Sequence, residues 1–366
     1  MMRRAAGLRS AGRAGFAAAE VPHSRPCLGR DEEEAALRVL RSGRLAAGDE
    51  ARRGAAHLAR VTGNAGAVLL SSGTTALTLA MRALGIGPRD RVAVPSYVCA
   101  AVVHAIRDAG ARPLVCDIDP LTLALDPEDL ARRTTADLRA VIVVHPFGVP
   151  VRLEPLRGHG LLVIEDCAQA LGASDRGAPV GSRGDVAVFS FAPTKVMTCG
   201  GPGGGLASPR AGVVDEARDL AMHDEKEDAR PRWNALMGDL HAGILAVQLA
   251  RLEEFRHRRA AIALRYDEVL ASLGVLRAPS APGADPIAYR YVVHVRDADH
   301  LLEALNRRGI AARRPVYRPL HRLLGLDGRF PGSDQAQKEM VSLPLYPALT
   351  DDEAERVIGE VRRCLS

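Results

Sequence analysis

Two short stretches of the chain carry residues that could do chemistry together. Leu161, Leu162, Val163 and Ile164 form an apolar run of the kind expected for a strand covered on both faces, and it ends abruptly in Glu165 and Asp166. In an open α/β sheet ligands bind at the carboxyl ends of the strands, so a carboxylate there has a plausible task beyond solubility. A second apolar strand, Val186–Phe191, delivers Ser190, Thr194 and Lys195 into a pliable loop containing Gly200, Gly201, Pro202, Gly203, Gly204 and Gly205. An amine and a carboxylate at the ends of adjacent buried strands suit pyridoxal 5'-phosphate (PLP). That cofactor needs a lysine to condense with its aldehyde and an acid to keep its pyridine nitrogen protonated, so that the ring can accept electrons from a carbanion. The acid must stay ionised, which the pyridinium charge favours. Taken singly, a lysine after a strand is ordinarily a solvated surface residue and an aspartate at a strand end a turn former or helix cap.

The elements that must position these groups follow a regular order. An acidic start at Asp31–Glu34 opens a helix that Gly43 ends, and a second helix around Ala51–Val61 precedes a strand at Ala67–Leu70. The turn SSGTTAL at 71–77 then enters a helix; its N–H groups and hydroxyls suit either an ordinary Ser/Thr cap or a phosphate cradle built from Ser72, Gly73, Thr74 and Thr75. Strands at Arg91–Val94, Pro113–Asp117 and Ala140–Val144 alternate with helices near Cys99–Ala109 and Pro127–Arg133. This alternation predicts an α/β fold with a mostly parallel sheet and helices on both faces. After Arg265 a Pro- and Gly-rich connection leads to a strand at Ala288–Val295 and helices at His300–Arg308 and Asp351–Cys364, which predicts a smaller α+β domain. The expected division is an extension over 1–20, a large domain over 21–265 and a small domain over 266–366.

Composition bounds the function. A chain of 366 residues with 47% hydrophobic and 25% charged residues is ordinary for a soluble protein of more than one core. The net charge of +5 is spread, with no sustained basic block after the N-terminus, which argues against nucleic-acid binding. Six cysteines (Cys27, Cys99, Cys116, Cys167, Cys199, Cys364) form no CxxC pair and no zinc spacing, so we expect a reduced, cytoplasmic compartment and no metal. No apolar run approaches the roughly 20 residues of a membrane span. The Arg- and Ala-rich opening superficially resembles a transit peptide; we read it as a disordered extension, because the same bias pervades the chain.

Seven segments, in order, resemble the DegT/StrS type of sugar aminotransferases, which are fold-type-I PLP enzymes. They are SSGTTAL at 71–77, GARPLVCDIDPLTLALDPEDL at 110–130, VVHPFGVP at 143–150, VIEDCAQALGA at 163–173, VGSRGDVAVFSFAPTK at 180–195, WNALMGDLHA at 233–242 and SLPLYPALT at 342–350. The resemblance implies that Lys195 carries the cofactor, is displaced by an amino donor such as glutamate or glutamine, and then moves a proton between donor and cofactor. Asp166 then holds the pyridinium, with Gln169 near the ring. Gly73, Thr74, Thr75 and Ser190 hold the phosphate, joined by Asn234 from the neighbouring subunit of a homodimer with shared sites. Gly48 matches a loop leading toward the site.

The pattern also departs from that family. In PSYVC the usual aromatic residue that stacks on the ring is replaced by Cys99, leaving Tyr97 or Cys99 as the stacking candidates. Pro202 stands where an acid is common, and Leu236 where an arginine is typical, which removes a bidentate anion ligand. Arg313, Arg314, Tyr317, Arg318 and His321 fall in a region that family members bring over the site mouth; Tyr317, Arg318 and His321 are the substrate candidates, and a solvated basic patch is the competing reading. The implied substrate is a nucleotide-linked keto-sugar. Alternatives are a carbocyclic ketone of the inosose type, a sugar dehydratase, in which histidine replaces the lysine, and a non-catalytic PLP-binding or cofactor-free regulator.

Overall fold

The computed structural model describes residues 20–157, 160–277 and 280–365. The extension expected over 1–20 therefore lies, but for Glu20, outside the described residues. A seven-stranded sheet forms the centre, built from β1 (Gly66–Leu70), β2 (Arg91–Pro95), β3 (Arg112–Cys116), β4 (Leu138–Val144), β5 (Leu162–Asp166), β6 (Val186–Ser190) and β7 (Gly204–Ser208). Its spatial order is β1-β7-β6-β5-β4-β2-β3, and β7 runs antiparallel to both of its neighbours while the other pairs are parallel. The core strands read as unbroken apolar runs because both faces are covered. Ile142, Ile164 and Val188 fall in one large buried cluster, whereas Val141, Val143 and Val163 face another.

Strand β7 departs from expectation. The sequence predicts a loop at its glycines, yet Gly204 and Gly205 are strand residues: a Cβ on Gly204 would come within 2.3–2.4 Å of the Ser72–Gly73 peptide, which only glycine avoids, and one on Gly205 would sit tightly, 3.1 Å from the Val68 carbonyl oxygen. The low strand propensity of glycine is overridden by the need for close backbone approach.

Helix α1 (Arg30–Ser42) ends at Gly43 in the left-handed conformation (φ 71°), as the sequence indicated. Helix α2 (Asp49–Val61) has no cap of its own at Gly48; the buried carboxylate of Asp239 caps it from a distance, accepting from the N–H groups of Gly48 (2.7 Å), Glu50 (3.2 Å) and Ala51 (3.0 Å). Such a cap contributes about 1–2 kcal/mol and fixes the loop before α2.

A second core lies outside the sheet. Tyr266, Tyr291, Val293, Leu301, Leu305, Val341, Val357 and Val361 pack together around a three-stranded antiparallel sheet of Leu276–Arg277, Tyr291–His294 and Met340–Leu343. Val21, expected with the large domain, belongs to this second core: it bridges Ile310 in parallel, and its N–H donates to the Gly309 carbonyl at 2.7 Å. His23 and Arg25 follow, on Ser342 and Glu353. The helix Leu252–Leu270 joins the two regions, since Leu252 and Phe255 pack with the first and Ile262, Ala263 and Tyr266 with the second. Pairing of residue 21 with residue 310 is a contact between segments remote in sequence, which no local pattern announces. No helix among the described residues is long and apolar enough to cross a membrane.

Candidate active site

Strands β5 and β6 are hydrogen-bonded neighbours with Asp166 opposite Val188, so Asp166 and the loop after Ser190 emerge side by side at the carboxyl end of the sheet. The Asp166 carboxylate is 7% exposed and accepts from the Ala168 N–H at 3.0 Å. Burial pushes its pKa up, more than the Ala168 N–H, the Lys195 ammonium and the field of the His145 ring bring it down. Lys195 thus acts on Asp166 through space without an ion pair between them, and both groups border one site.

The turn entering α3 (Gly73–Ala83) lies against the end of β6. A Cβ on Gly73 would approach the Ser190 Cβ to 2.9 Å and its Oγ to 3.3 Å, and Gly204, paired with Ser190 in the sheet, lies against the same turn. Ser72 caps the helix, accepting the Thr75 N–H at 3.0 Å and sharing a 2.8 Å hydrogen bond with the Thr75 hydroxyl. Thr75 is thereby partly spent. The Gly73 and Thr74 N–H groups and the Thr74 and Ser190 hydroxyls have no partner among the described residues. Unpaired donors at the N-terminus of an eleven-residue helix, with hydroxyls beside them, are what an anionic phosphate group requires. These residues fit PLP: donors for its phosphate, a buried acid for its ring nitrogen, an amine for its aldehyde. Gly73→Ala is expected to weaken PLP binding by about tenfold or more while leaving the fold intact, because the methyl narrows the cradle by contact with Ser190; a cofactor titration followed by absorbance reads it.

Several anticipated residues have other duties. Gln169 Oε1 accepts the Phe147 N–H at 2.8 Å and so holds a turn in which Phe147 is left-handed (φ 54°). Tyr97, a stacking candidate, is 4% exposed in a cluster with Ile118, Phe147 and Val316, its hydroxyl donating to the Ala336 carbonyl at 3.3 Å. Its ring is committed to packing, and Cys99 is the exposed member of that loop. His321, a substrate candidate, is likewise buried. It lies 2.7 Å from the Ser96 hydroxyl and 3.1 Å from Asp334, and it stacks on Phe330 at 4.5 Å. The Ser96–His321–Asp334 line is no nucleophilic triad, because Ser96 is fully buried. Tyr317 and Arg318 are exposed, Tyr317 almost completely, and so is Asn234, whose amide has no partner among the described residues. Arg314 is tied to Asp299 and to the Lys338 and Met340 carbonyls. Leu236 bridges Leu70 on the outer edge of β1 and packs against the core, an apolar role that accounts for its residue type.

Sequence reasoning missed a buried network behind Asp166. Glu165, on the opposite face of β5, accepts N–H groups from Gly181 (3.0 Å), Arg183 (3.0 Å) and Gly184 (2.5 Å) and lies 3.1 Å from His145 Nε2. Burial raises its pKa, but the hydrogen bonds from His145 and the backbone outweigh this and leave it lowered. His145 Nδ1 accepts the Val151 N–H at 3.0 Å, so Nε2 carries the proton and donates to Glu165. With Cys167 these side chains form a cluster of metal-ligand types, yet the His145 and Glu165 atoms are already spent on hydrogen bonds. The signal in the sequence was an acidic residue directly before Asp166, on the face that should have been apolar. Tyr289 was also missed, and its ring centroid is 5.7 Å from Lys195 Nζ.

The family model of DegT/DnrJ/EryC1/StrS aminotransferases matches residues 26–362. The chain belongs to this family. It is 34% identical over 348 residues to the dTDP-3-amino-3,4,6-trideoxy-alpha-D-glucose transaminase of Streptomyces venezuelae, covering 91% of this chain and 92% of that one. A pleiotropic regulatory protein of Geobacillus stearothermophilus is 30% identical, covering 88% and 91%. Among solved structures, the aminotransferase TlmJ of Streptoalloteichus hindustanus superposes with a TM-score of 0.89 at 34% identity, covering 94% and 99%. The PLP form of the putative sugar aminotransferase Spr1654 of Streptococcus pneumoniae superposes with a TM-score of 0.88 at 25% identity, covering 94% and 98%. The protein is therefore a PLP-dependent aminotransferase, with the mostly parallel α/β sheet that the alternation of strands and helices indicated and the fold-type-I architecture that the family resemblance implied.

Proposed function

We propose that this aminotransferase converts a nucleotide-linked keto-sugar to an amino-sugar, with glutamate or glutamine as donor. The observation that carries the reading is the placement of Lys195 and Asp166 on neighbouring strand ends beside the Gly73–Ser190 cradle. The similarity to the dTDP-amino-sugar transaminase and to TlmJ supports the substrate class. When bound, PLP supplies an electron sink for the carbon being deprotonated. Asp166 holds the proton on the ring nitrogen. Gly73, Thr74 and Ser190 hold the phosphate through N–H and hydroxyl groups, with Thr75 positioned by Ser72. Lys195 anchors the cofactor and, once displaced, acts as the base and then the acid that moves one proton between the substrate carbon and the cofactor. Gln169 fixes the 146–148 turn, Cys99 stands at the sequence position of the usual stacking residue, and Tyr317 and Arg318 are exposed for substrate.

The reading includes a cytoplasmic homodimer in which Asn234 completes the neighbour's phosphate site. Its free amide supports this, as does a groove of about 650 Å³ lined by Ala51, Ala55, Ala59 and Leu236, two residues further along the chain. Mixing Lys195→Ala with Asn234→Ala protein is expected to restore activity that neither has alone, since exchange of subunits rebuilds one intact site per hybrid dimer; no recovery after confirmed exchange would remove the shared site. For domains, we propose a boundary near residue 265, with residues 21–25 assigned to the small domain.

The deciding assay offers dTDP-linked 3-keto- and 4-keto-6-deoxy-sugars and scyllo-inosose, each with L-glutamate and L-glutamine. Turnover of a nucleotide-linked sugar supports the reading. Turnover of inosose alone would replace it with the carbocyclic reading, and cofactor binding without turnover of any ketone would favour the regulator.

A further inference from the structure

Tyr289 is a buried aromatic residue, 5% exposed, that the roles given above leave unused. It comes from the segment leading into the small-domain sheet, yet it lies against the amine of Lys195. Three contacts hold the segment there. The Ile287 N–H donates to the Gly148 carbonyl at 3.1 Å, the Arg290 N–H to the Phe147 carbonyl at 3.4 Å, and Arg259 to the Tyr289 carbonyl at 3.2 Å. Gly148 (φ 95°) permits this approach, because a Cβ there would come within 2.8 Å of the Tyr289 nitrogen and 3.2 Å of its Cβ. Phe147, in turn, hangs from Gln169, three residues after Asp166. A continuous series of contacts thus runs from the Asp166 loop through the 146–148 turn to the ring facing Lys195.

We propose that Tyr289 is a positioning residue whose ring face holds the Lys195 amine in the site while it is detached from the cofactor. The inference rests on the reading of Lys195 as the cofactor-bearing amine. An ammonium within about 6 Å of an aromatic centroid is drawn to the negative ring face, more strongly where water is excluded. The 5.7 Å separation meets the first condition, and on the aromatic side the ring is buried while Lys195 is half-buried. The phenol oxygen accepts from Arg290 at 3.2 Å. Burial raises the phenol's pKa, but Lys195, Arg290 and Arg259 outweigh it and leave it lowered, which agrees with a ring set among cations. Held this way, the long side chain keeps its amine near the reacting carbon instead of sampling solvent.

The test replaces Tyr289 with Phe, with 4-fluoro-, 3,5-difluoro- and 3,4,5-trifluorophenylalanine, and with Met. Fluorine drains the ring face while nearly preserving its shape, so a packing role alone would leave the series flat. Relative to Phe, kcat is expected to fall stepwise with fluorine, by roughly tenfold at Met, with KM nearly constant. In full-length protein stripped of cofactor, trinitrobenzenesulfonate labelling of Lys195, followed by peptide mass spectrometry, is expected to speed up in the same order. A flat fluorine series in both measurements, or identical behaviour of Phe and Met, would overturn the proposal. Should the Met protein fail to fold, the fluorinated series alone decides. If borohydride fixes no PLP on Lys195 in the unaltered protein, the cofactor assignment fails, an outcome separate from the labelling series.

Discussion

Lys195→Ala is expected to lower transamination by about 10⁴-fold or more, because one substitution removes both the covalent anchor and the proton carrier. The helix-end donors and Asp166 remain, so PLP still binds, held by phosphate and ring contacts alone. Three measurements separate these effects. Equilibrium dialysis should still find cofactor in the variant, borohydride reduction should no longer fix it to the chain, and multiple-turnover assays should find almost nothing. Addition of a small amine such as methylamine should restore part of the proton transfer, since the space vacated lies beside Tyr289 and Asp166. Near-normal turnover in Lys195→Ala would mean that the chemistry belongs to another residue, and the reading of the site would fall.

Asp166→Asn is expected to separate stability from activity. Burial raises the Asp166 pKa in the folded, cofactor-free protein, so the folded state binds its proton more tightly than the unfolded chain does. Between the unfolded value of about 3.9 and the raised folded value, stability therefore falls as pH rises. Above that window the cost of a buried carboxylate is fully present. Asparagine carries no charge to bury, so the cofactor-free variant should be at least as stable as the parent at neutral pH, and the difference should vanish in acid. Activity moves the other way. Without an anion to balance the ring nitrogen's proton, turnover is expected to drop on the order of 10²–10³-fold, the cost of losing one preorganised electrostatic group. Thermal unfolding with and without PLP, across pH, checks the first claim, and the second is read from kcat. A stabilised protein with unchanged kcat would show that Asp166 does not face the cofactor.

The two predictions draw on different parts of the molecule. Lys195 acts through its own chemistry, and its environment has only to deliver it. Asp166 acts through its surroundings, since the same carboxylate in water would hold no proton in place and cost no stability. Its burial comes from β4, β5 and β6, and the charge it lacks is the one a protonated ring provides. A binding site that costs stability until its ligand arrives is the expected signature of electrostatic preorganisation.

Much of this was readable from local pattern. Buried parallel strands are continuous apolar runs, so Leu162–Asp166 and Val186–Ser190 announced themselves, together with the acid and the lysine loop that follow them. The helix stops at Gly43 and the Ser72 cap were likewise local facts of backbone conformation and hydrogen bonding. Tertiary structure alone decided where remote segments meet. It turned the Gly204–Gly205 pair into a strand against the Ser72 turn, sent Tyr97 and His321 into packing, brought Asp239 to cap α2, and set Tyr289 over Lys195. The physical reason is that periodicity and capping are paid in contacts a few residues apart, which the sequence displays directly. The direction in which a polar side chain turns is settled by neighbours far away along the chain, whose approach depends on the whole packed fold.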